Sequence, residues 1–251
     1  MVQTIKKENK QMKSKLMQKL TKTIAILMLT IALVCSTSCK KNNEPNNGTY
    51  NGHDYVDLGL PSGTLWATCN VGADNSENYG DYFAWGETQS KASYSESNYV
   101  YSHGGYNQLT KYCSQSDFGH NGFTDKLTTL EPSDDAATVN WGEGWRTPTI
   151  NEWIELLTKC SHSWTTINGV KGCLFTGRNG NTIFLPAASS RNDEDSRSVG
   201  DDGSYWSSSL NKNFPEYAKG LNFVIGFNDC DLYDDLGRCS GRSVRPVCSS
   251  H

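Results

Sequence analysis

"WGEGWRTPTINEWIELLTKC", residues 141–160, carries the clearest local order in the chain. Thr149 and Glu152 have capping-box spacing, Pro148 stands just before them, and Ile150, Trp153, Ile154 and Leu157 recur at i, i+3, i+4 and i+7. The pattern predicts a helix over about 149–160 with one apolar face. A shorter helix is expected over about 133–139, opened by "EPSDDAA", residues 131–137.

Working outward, "HDYVDLGLPSGTLWATCNVGA", residues 53–73, alternates in polarity around a Pro-Ser-Gly turn and predicts a hairpin. "YGDYFAWGE", residues 79–87, reads as a short aromatic strand. Residues 91–130, rich in Ser, Tyr, Asn, Gly and His with weak periodicity, read as a long surface excursion. After the helix, "GCLFTGRNGNTIFLPAA", residues 172–188, gives two strands about an Asn-Gly turn. "SYWSSS", "AKGLNFV" and "GRSVRPVC" supply further strands. One helix held against short, mostly antiparallel strands, with a second helix beside it, predicts an α+β domain.

The N-terminus differs in kind. Seven Lys and one acid, Glu8, precede the apolar stretch "IAILMLTIALV", residues 24–34, which is too short to span a membrane, where about 20 residues are needed. Basic, apolar and small-residue zones in that order make an export signal. Small residues before Cys39 and the polar "KKNNEPNNG" after it resemble a bacterial lipoprotein signal. That resemblance implies a signal peptide over 1–38 with Met12 or Met17 as an alternative start, lipidation of Cys39, a tether over 39–52 and a domain over 53–251. It also implies a Gram-negative outer-membrane lipoprotein exposed at the cell surface.

Of 23 Lys and Arg against 27 Asp and Glu, loss of residues 1–38 leaves 16 against 26, a net charge of −10. So acidic a chain is not built for nucleic acid, which needs a basic surface. Seven cysteines follow Cys39, namely Cys69, Cys113, Cys160, Cys173, Cys230, Cys239 and Cys248, with no C-x-x-C spacing. An odd number leaves at least one thiol unpaired, while a Cys160–Cys173 or a Cys230–Cys239 bridge is compatible with export.

The run Asp229–Cys239 gathers four aspartates, two cysteines and an arginine, and invites three readings: a metal site, a catalytic site, or a loop that touches an outside partner. Residues 224–240, "VIGFNDCDLYDDLGRCS", follow neither a period of 2 nor of 3.6, so they are not patterned to fill a core. Phe and Tyr offer rigid contact area, and Asn and Ser adaptable hydrogen bonds.

"WRTPTINEW" resembles the helix start of the formylglycine-generating-enzyme family. The succession "LPSGTLWATCNVGA", "YFAWGE", "WGEGWRTPT", "GNTIFLPAA", "YWSSS", "GRSVRPV" resembles the bacterial FISUMP (major paralogous) domain over about residues 50–248. Both families are similar in fold to C-type lectins, so the resemblance implies a C-type-lectin-like domain. The enzyme relatives use a C-terminal copper-binding cysteine pair, which the spacing of Cys230, Cys239 and Cys248 does not reproduce. Many C-type lectins bind calcium through a Glu-Pro-Asn loop and a Trp-Asn-Asp strand, of which "EPSD", residues 131–134, and "FND", residues 227–229, are imperfect echoes. "YWSSSLNKNFPEYAKGLNF" closed by "GRSVRPV" also resembles the cassette of retroelement-diversified variable proteins. Adenine replacement in Asn codons cannot yield Trp, Lys, Glu, Gln or Met, and residues 224–240 lack all five, although so do residues 172–193.

These readings together predict a non-enzymatic, lipid-anchored binder of an external protein or glycan, with neither metal nor cofactor assigned and the membrane met through the lipid alone. The expected framework is Trp145, Arg146, Trp153, Trp206, Arg242 and Arg245. The expected contact residues are Asn211, Asn213, Phe214, Tyr217, Phe227, Asn228, Asp229, Asp231, Tyr233, Asp234, Asp235 and Arg238. The competing readings are a calcium-dependent carbohydrate-binding lectin and a formylglycine-generating-like oxidase.

Overall fold

Thr149 caps the helix that the sequence predicts. In the computed structural model, which describes residues 47–192, 195–197, 199–224 and 230–249, the capping box is complete. The Thr149 hydroxyl accepts from the Glu152 N–H at 3.3 Å, and the Glu152 carboxylate accepts from the Thr149 N–H at 2.8 Å. Arg146 adds a two-pronged contact to the same carboxylate, at 2.7 and 2.5 Å. Helix α2 thus spans Ile150–Lys159, after the six-residue α1, Ala136–Trp141, whose cap is Asp135. The buried stripe of α2 is Trp153 and Leu156, whereas Ile154 faces water, so the apolar face is turned from the one its spacing suggests.

Around these two helices the described residues form thirteen strands in four sheets, every strand pair antiparallel. The domain is therefore mainly β, and the α+β expectation is corrected. Helical periodicity holds over one capped decapeptide, while the Gly- and Asn-rich remainder turns too often for helices and pairs as short strands.

The first and last described strands share the first sheet. β1 (Gly48–Tyr50), β2 (His53–Asp57), β3 (Thr64–Ala67) and β13 (Val247–Ser249) lie in that order, with Val247 opposite Trp66. The expected hairpin is β2–β3, with Val56 opposite Trp66. Gly48–Tyr50, within the segment read as a tether, form strand β1.

β4 (Ser161–Ile167), β5 (Val170–Thr176) and β6 (Thr182–Pro186) form a meander, in which β4 is a strand the sequence reading did not anticipate. β7 (Ser190–Asn192) lies between β8 (Asp195–Arg197) and β12 (Gly241–Arg242). "YFAWGE" is not a strand: only Phe83 makes a bridge, to Arg242.

β9 (Asp202–Leu210), β10 (Tyr217–Val224) and β11 (Cys230–Gly237) make the sheet against which α2 packs. β11 corrects the loop reading of the polar run. Its pairing shifts between Gly220↔Tyr233 and Ala218↔Leu236, which places an extra residue in β11. Such a bulge changes the face to which side chains on its two sides point. Leu236 is buried and Leu232 half-buried, while Asp231 and Asp235 are exposed.

Three apolar clusters fill the interior. One collects Trp85, Trp145, Trp206 and Tyr112, the second Trp66, Trp153, Phe175, Tyr205 and Phe223. The third holds Tyr82, Tyr94, Tyr99, Leu109 and Cys113. Four of those five come from residues 91–130, so the supposed surface excursion is folded onto the domain with a core of its own. No helix among the described residues is long and apolar enough to cross a membrane.

Candidate functional site

The frame beneath the β9–β10–β11 face is made of buried aromatic and arginine side chains that satisfy main-chain groups. Trp206 donates to the Phe83 carbonyl at 2.7 Å, Trp85 to that of Ser207 at 2.7 Å, and Trp153 to that of Trp206 at 3.2 Å. Arg242 lies over the Trp206 ring and donates to Ser204 Oγ at 2.9 Å. Arg245, fully buried, donates to Asn70 Oδ1 and to the carbonyls of Ala67, Thr68 and Phe184. Burial pushes the pKa of both guanidinium groups down, to about 10 for Arg242. Trp145, Trp153, Trp206, Arg242 and Arg245 are buried as a framework requires, and Arg146 supports α2 from its N-terminal side.

Residues 211–216 join β9 to β10, and Asn211 shapes this loop. Its Oδ1 accepts from the N–H groups of Asn213 (3.0 Å) and Phe214 (3.2 Å), and its Nδ2 donates to Asp235 Oδ1 on β11 (2.9 Å). Such side-chain capture of the following backbone is what suits Asn to turns. Ser114 and Gln115, from the folded excursion, hold the carbonyls of Lys212 and Asn213. With its backbone so fixed, the loop presents Phe214, 52% exposed.

A cleft of about 640 Å³ opens beside it. Asn211, Asn213, Phe214 and Asp235, four of the expected contact residues, line it together. Lys212, Lys219, Thr128, Thr129 and Ile150 also line it and were not foreseen. Thr128 and Thr129 arrive through long-range pairing, Thr129 bridging to Ser209 and the Leu210 N–H donating to the Thr128 carbonyl. No local pattern signals such a contact.

The other expected contact residues are placed differently. Tyr217 lines a second cavity, and Asp231 stands exposed on β11 away from the cleft lining. Arg238 is 1% exposed and is corrected from a contact to an internal residue. Its guanidinium donates to Tyr99 Oη (2.9 Å) and to the carbonyls of Pro215 (2.7 Å), Lys111 (3.0 Å) and Tyr112 (3.1 Å), among the rings of Trp85, Tyr99 and Tyr112. Tyr233 and Asp234 hold positions in β11, but their side chains lie outside the described part. Phe227, Asn228, Asp229 and Cys39 lie outside the described residues altogether.

The competing chemistries find the following groups. In "EPSD", Lys111 already pairs with Asp134 and Glu131, each at 2.6 Å, and Tyr112 donates to Asp134 at 2.5 Å. Among the described residues no three His, Cys, Asp or Glu side chains gather as metal ligands. "FND" lies outside the described residues. Cys69, Cys113, Cys160, Cys173, Cys239 and Cys248 are thiols with no bridge among them. Burial pushes the Cys239 thiol up and that of Cys248 to about 11, the direction opposite to an activated thiolate. No protein-family model, curated protein or solved structure matches the chain.

Proposed function

We propose that the chain is a lipid-anchored outer-membrane protein, displayed at the cell surface, that binds an external protein or glycan through the face carrying the 211–216 loop. The observation that carries this reading is the meeting of Asn211, Asn213, Phe214 and Asp235 in one cleft over a buried frame. A fixed backbone with an exposed aromatic side chain lowers the ordering cost of binding. The likeness to FISUMP and C-type-lectin-like domains supports the same reading, since the quoted motif residues Trp145, Trp153, Trp206, Arg242 and Arg245 are its buried frame. The cassette-like succession of β9, β10 and β11 before "GRSVRPV" makes this face the one a diversifying element would vary.

The test is to apply the full chain in detergent to arrays of glycans and of surface proteins. Retention on at least one ligand is expected, with Phe214→Ala lowering it at least tenfold at an unchanged melting temperature. Retention that Phe214→Ala and Asn213→Ala leave intact would refute this face as the binding surface. The diversification arm is read in the gene: an imperfect repeat of the segment encoding residues 205–247, differing at adenines, beside a reverse transcriptase. Its absence would remove that arm alone.

A further inference from the structure

The cleft beside Phe214 is polar for its size. At about 640 Å³ it falls within the roughly 300–1,000 Å³ of small-molecule sites, which are lined mostly by apolar side chains. Its apolar lining residues are Ile150, Leu210 and Phe214, of which Leu210 is buried and Phe214 is 52% exposed. The others carry hydroxyl, carboxamide, ammonium or carboxylate groups. Ser209 Oγ accepts from the Ile150 N–H at 3.1 Å, and the Asn211 carboxamide holds the loop. Among the described residues, the hydroxyls of Thr128 and Thr129, the carboxamide of Asn213 and the ammonium of Lys212 make no hydrogen bond or ion pair.

The charged lining residues are Lys212, Lys219 and Asp235. One oxygen of Asp235 is held by the Asn211 amide at 2.9 Å, and Glu216, the nearest acid along the loop, lines the second cavity beside Arg238. Two ammonium groups against one carboxylate leave the cleft positive by one, on a chain whose net charge is −4. The first N–H of α2 is already taken by Ser209, so this positive charge belongs to the lysines.

A protein side chain that anchors an interface seeks a desolvated, well-packed pocket. A pyranose has a different make-up: an apolar C–H face that can lie on Phe214, and a rim of hydroxyls that both donate and accept, as Thr128, Thr129 and Asn213 do. A neutral sugar would leave the positive charge unmet. Lysine is a compact charge with three donors, and it pairs with a single anionic group without the fork geometry of arginine. We propose that the cleft binds a sugar ring carrying one anionic group, its C–H face on Phe214, its anion paired with Lys212 and its hydroxyls meeting Asn213, Thr128 and Thr129. This names the ligand of the binding face proposed above and rests on that reading.

The probes are methyl β-D-glucuronide and methyl β-D-glucoside, which share a ring and differ in the carboxylate, followed by saturation-transfer NMR on the full chain in detergent. Saturable binding of both is expected, the glucuronide about two- to fivefold tighter, as an exposed ion pair gives. That preference should fade as ionic strength rises from about 0.01 M to about 1 M, which shortens the screening length from about 30 Å to about 3 Å. Lys212→Gln, at an exposed position, should bring the glucuronide down to the glucoside, with glucoside binding and melting temperature unchanged. Phe214→Ala should weaken both sugars severalfold. Equal binding of the two sugars, a preference that Lys212→Gln leaves intact, or sugar binding that Phe214→Ala leaves intact would overturn the proposal. Binding of neither sugar, while an arrayed protein is retained through Phe214, would overturn it too and leave the binding face standing. Methyl 6-O-sulfo-β-D-glucoside separates the two sources of the anion: binding as tight as the glucuronide's marks a sulfate as an equal source, and weaker binding marks a carboxylate.

Discussion

Replacing Arg238 with Met separates an internal arginine from a ligand-contacting one. The substitution keeps an unbranched, apolar stem among Trp85, Tyr99 and Tyr112 and deletes four hydrogen bonds, three of them to main-chain carbonyls. Hydrogen bonds from a charged donor contribute about 1.5–3 kcal/mol each, a gross loss of roughly 6–12 kcal/mol. Removing a buried charge returns several kcal/mol of desolvation, so the net cost is about 3–5 kcal/mol. That is a large share of the roughly 5–15 kcal/mol by which domains are stable. At about 2–4 °C per kcal/mol for a domain of this size, the melting temperature should fall by roughly 6–20 °C. Thermal melts followed by tryptophan fluorescence measure it directly, since the ring of Trp85 is part of the site. A drop below about 1 kcal/mol together with complete loss of ligand binding would refute the internal assignment and restore Arg238 to the contact surface.

Gly220→Ala tests the packing of the same sheet: a Cβ there collides with the Tyr205 carbonyl and comes within 2.6 Å of Leu236 Cδ1. A loss of about 1–3 kcal/mol is expected from such overpacking, read from urea midpoints, and a neutral result would mean that β10 and β11 are looser than described. Acid should act through Glu152 and Asp134. Burial raises both carboxyl groups, but Arg146 and Thr149 at Glu152, and Lys111 with Tyr112 at Asp134, outweigh it and hold both pKa values below their ordinary 4.5 and 3.8. A depressed carboxyl pKa gives stability that is fully present above the unfolded value and is lost as pH falls through the folded one. Urea midpoints should therefore hold steady down to about pH 4.5 and then fall, and Glu152→Gln should shallow that decline. An unchanged acid limb in the variant would remove Glu152 from the account.

What the sequence shows and hides here follows from the range of each interaction. The α2 cap is legible because Thr149 and Glu152 are three residues apart, and the β2–β3 hairpin because its turn lies between its own strands. β11 is hidden by its bulge: Leu232 and Leu236, four residues apart, pair with Leu221 and Ala218, three apart, so the two leucines pack into different clusters although a period of 2 would put them on one face. The cleft is half legible: Asn211 announces a turn, but Thr128 and Thr129 reach it only through pairing with Ser209 and Leu210.

Arg238 and the aspartates before it make the sharpest case, because in sequence they form one polar run. They divide by what each can reach. A carboxylate only accepts, and on edge strand β11 Asp231 and Asp235 are exposed, where water and, for Asp235, the Asn211 amide supply donors. A guanidinium carries five donors in a rigid fork, so beyond the end of β11 it can collect carbonyls at Lys111, Tyr112 and Pro215 from segments that are not strands. Those carbonyls would otherwise be buried without a partner, and supplying them is worth more than a place on the surface.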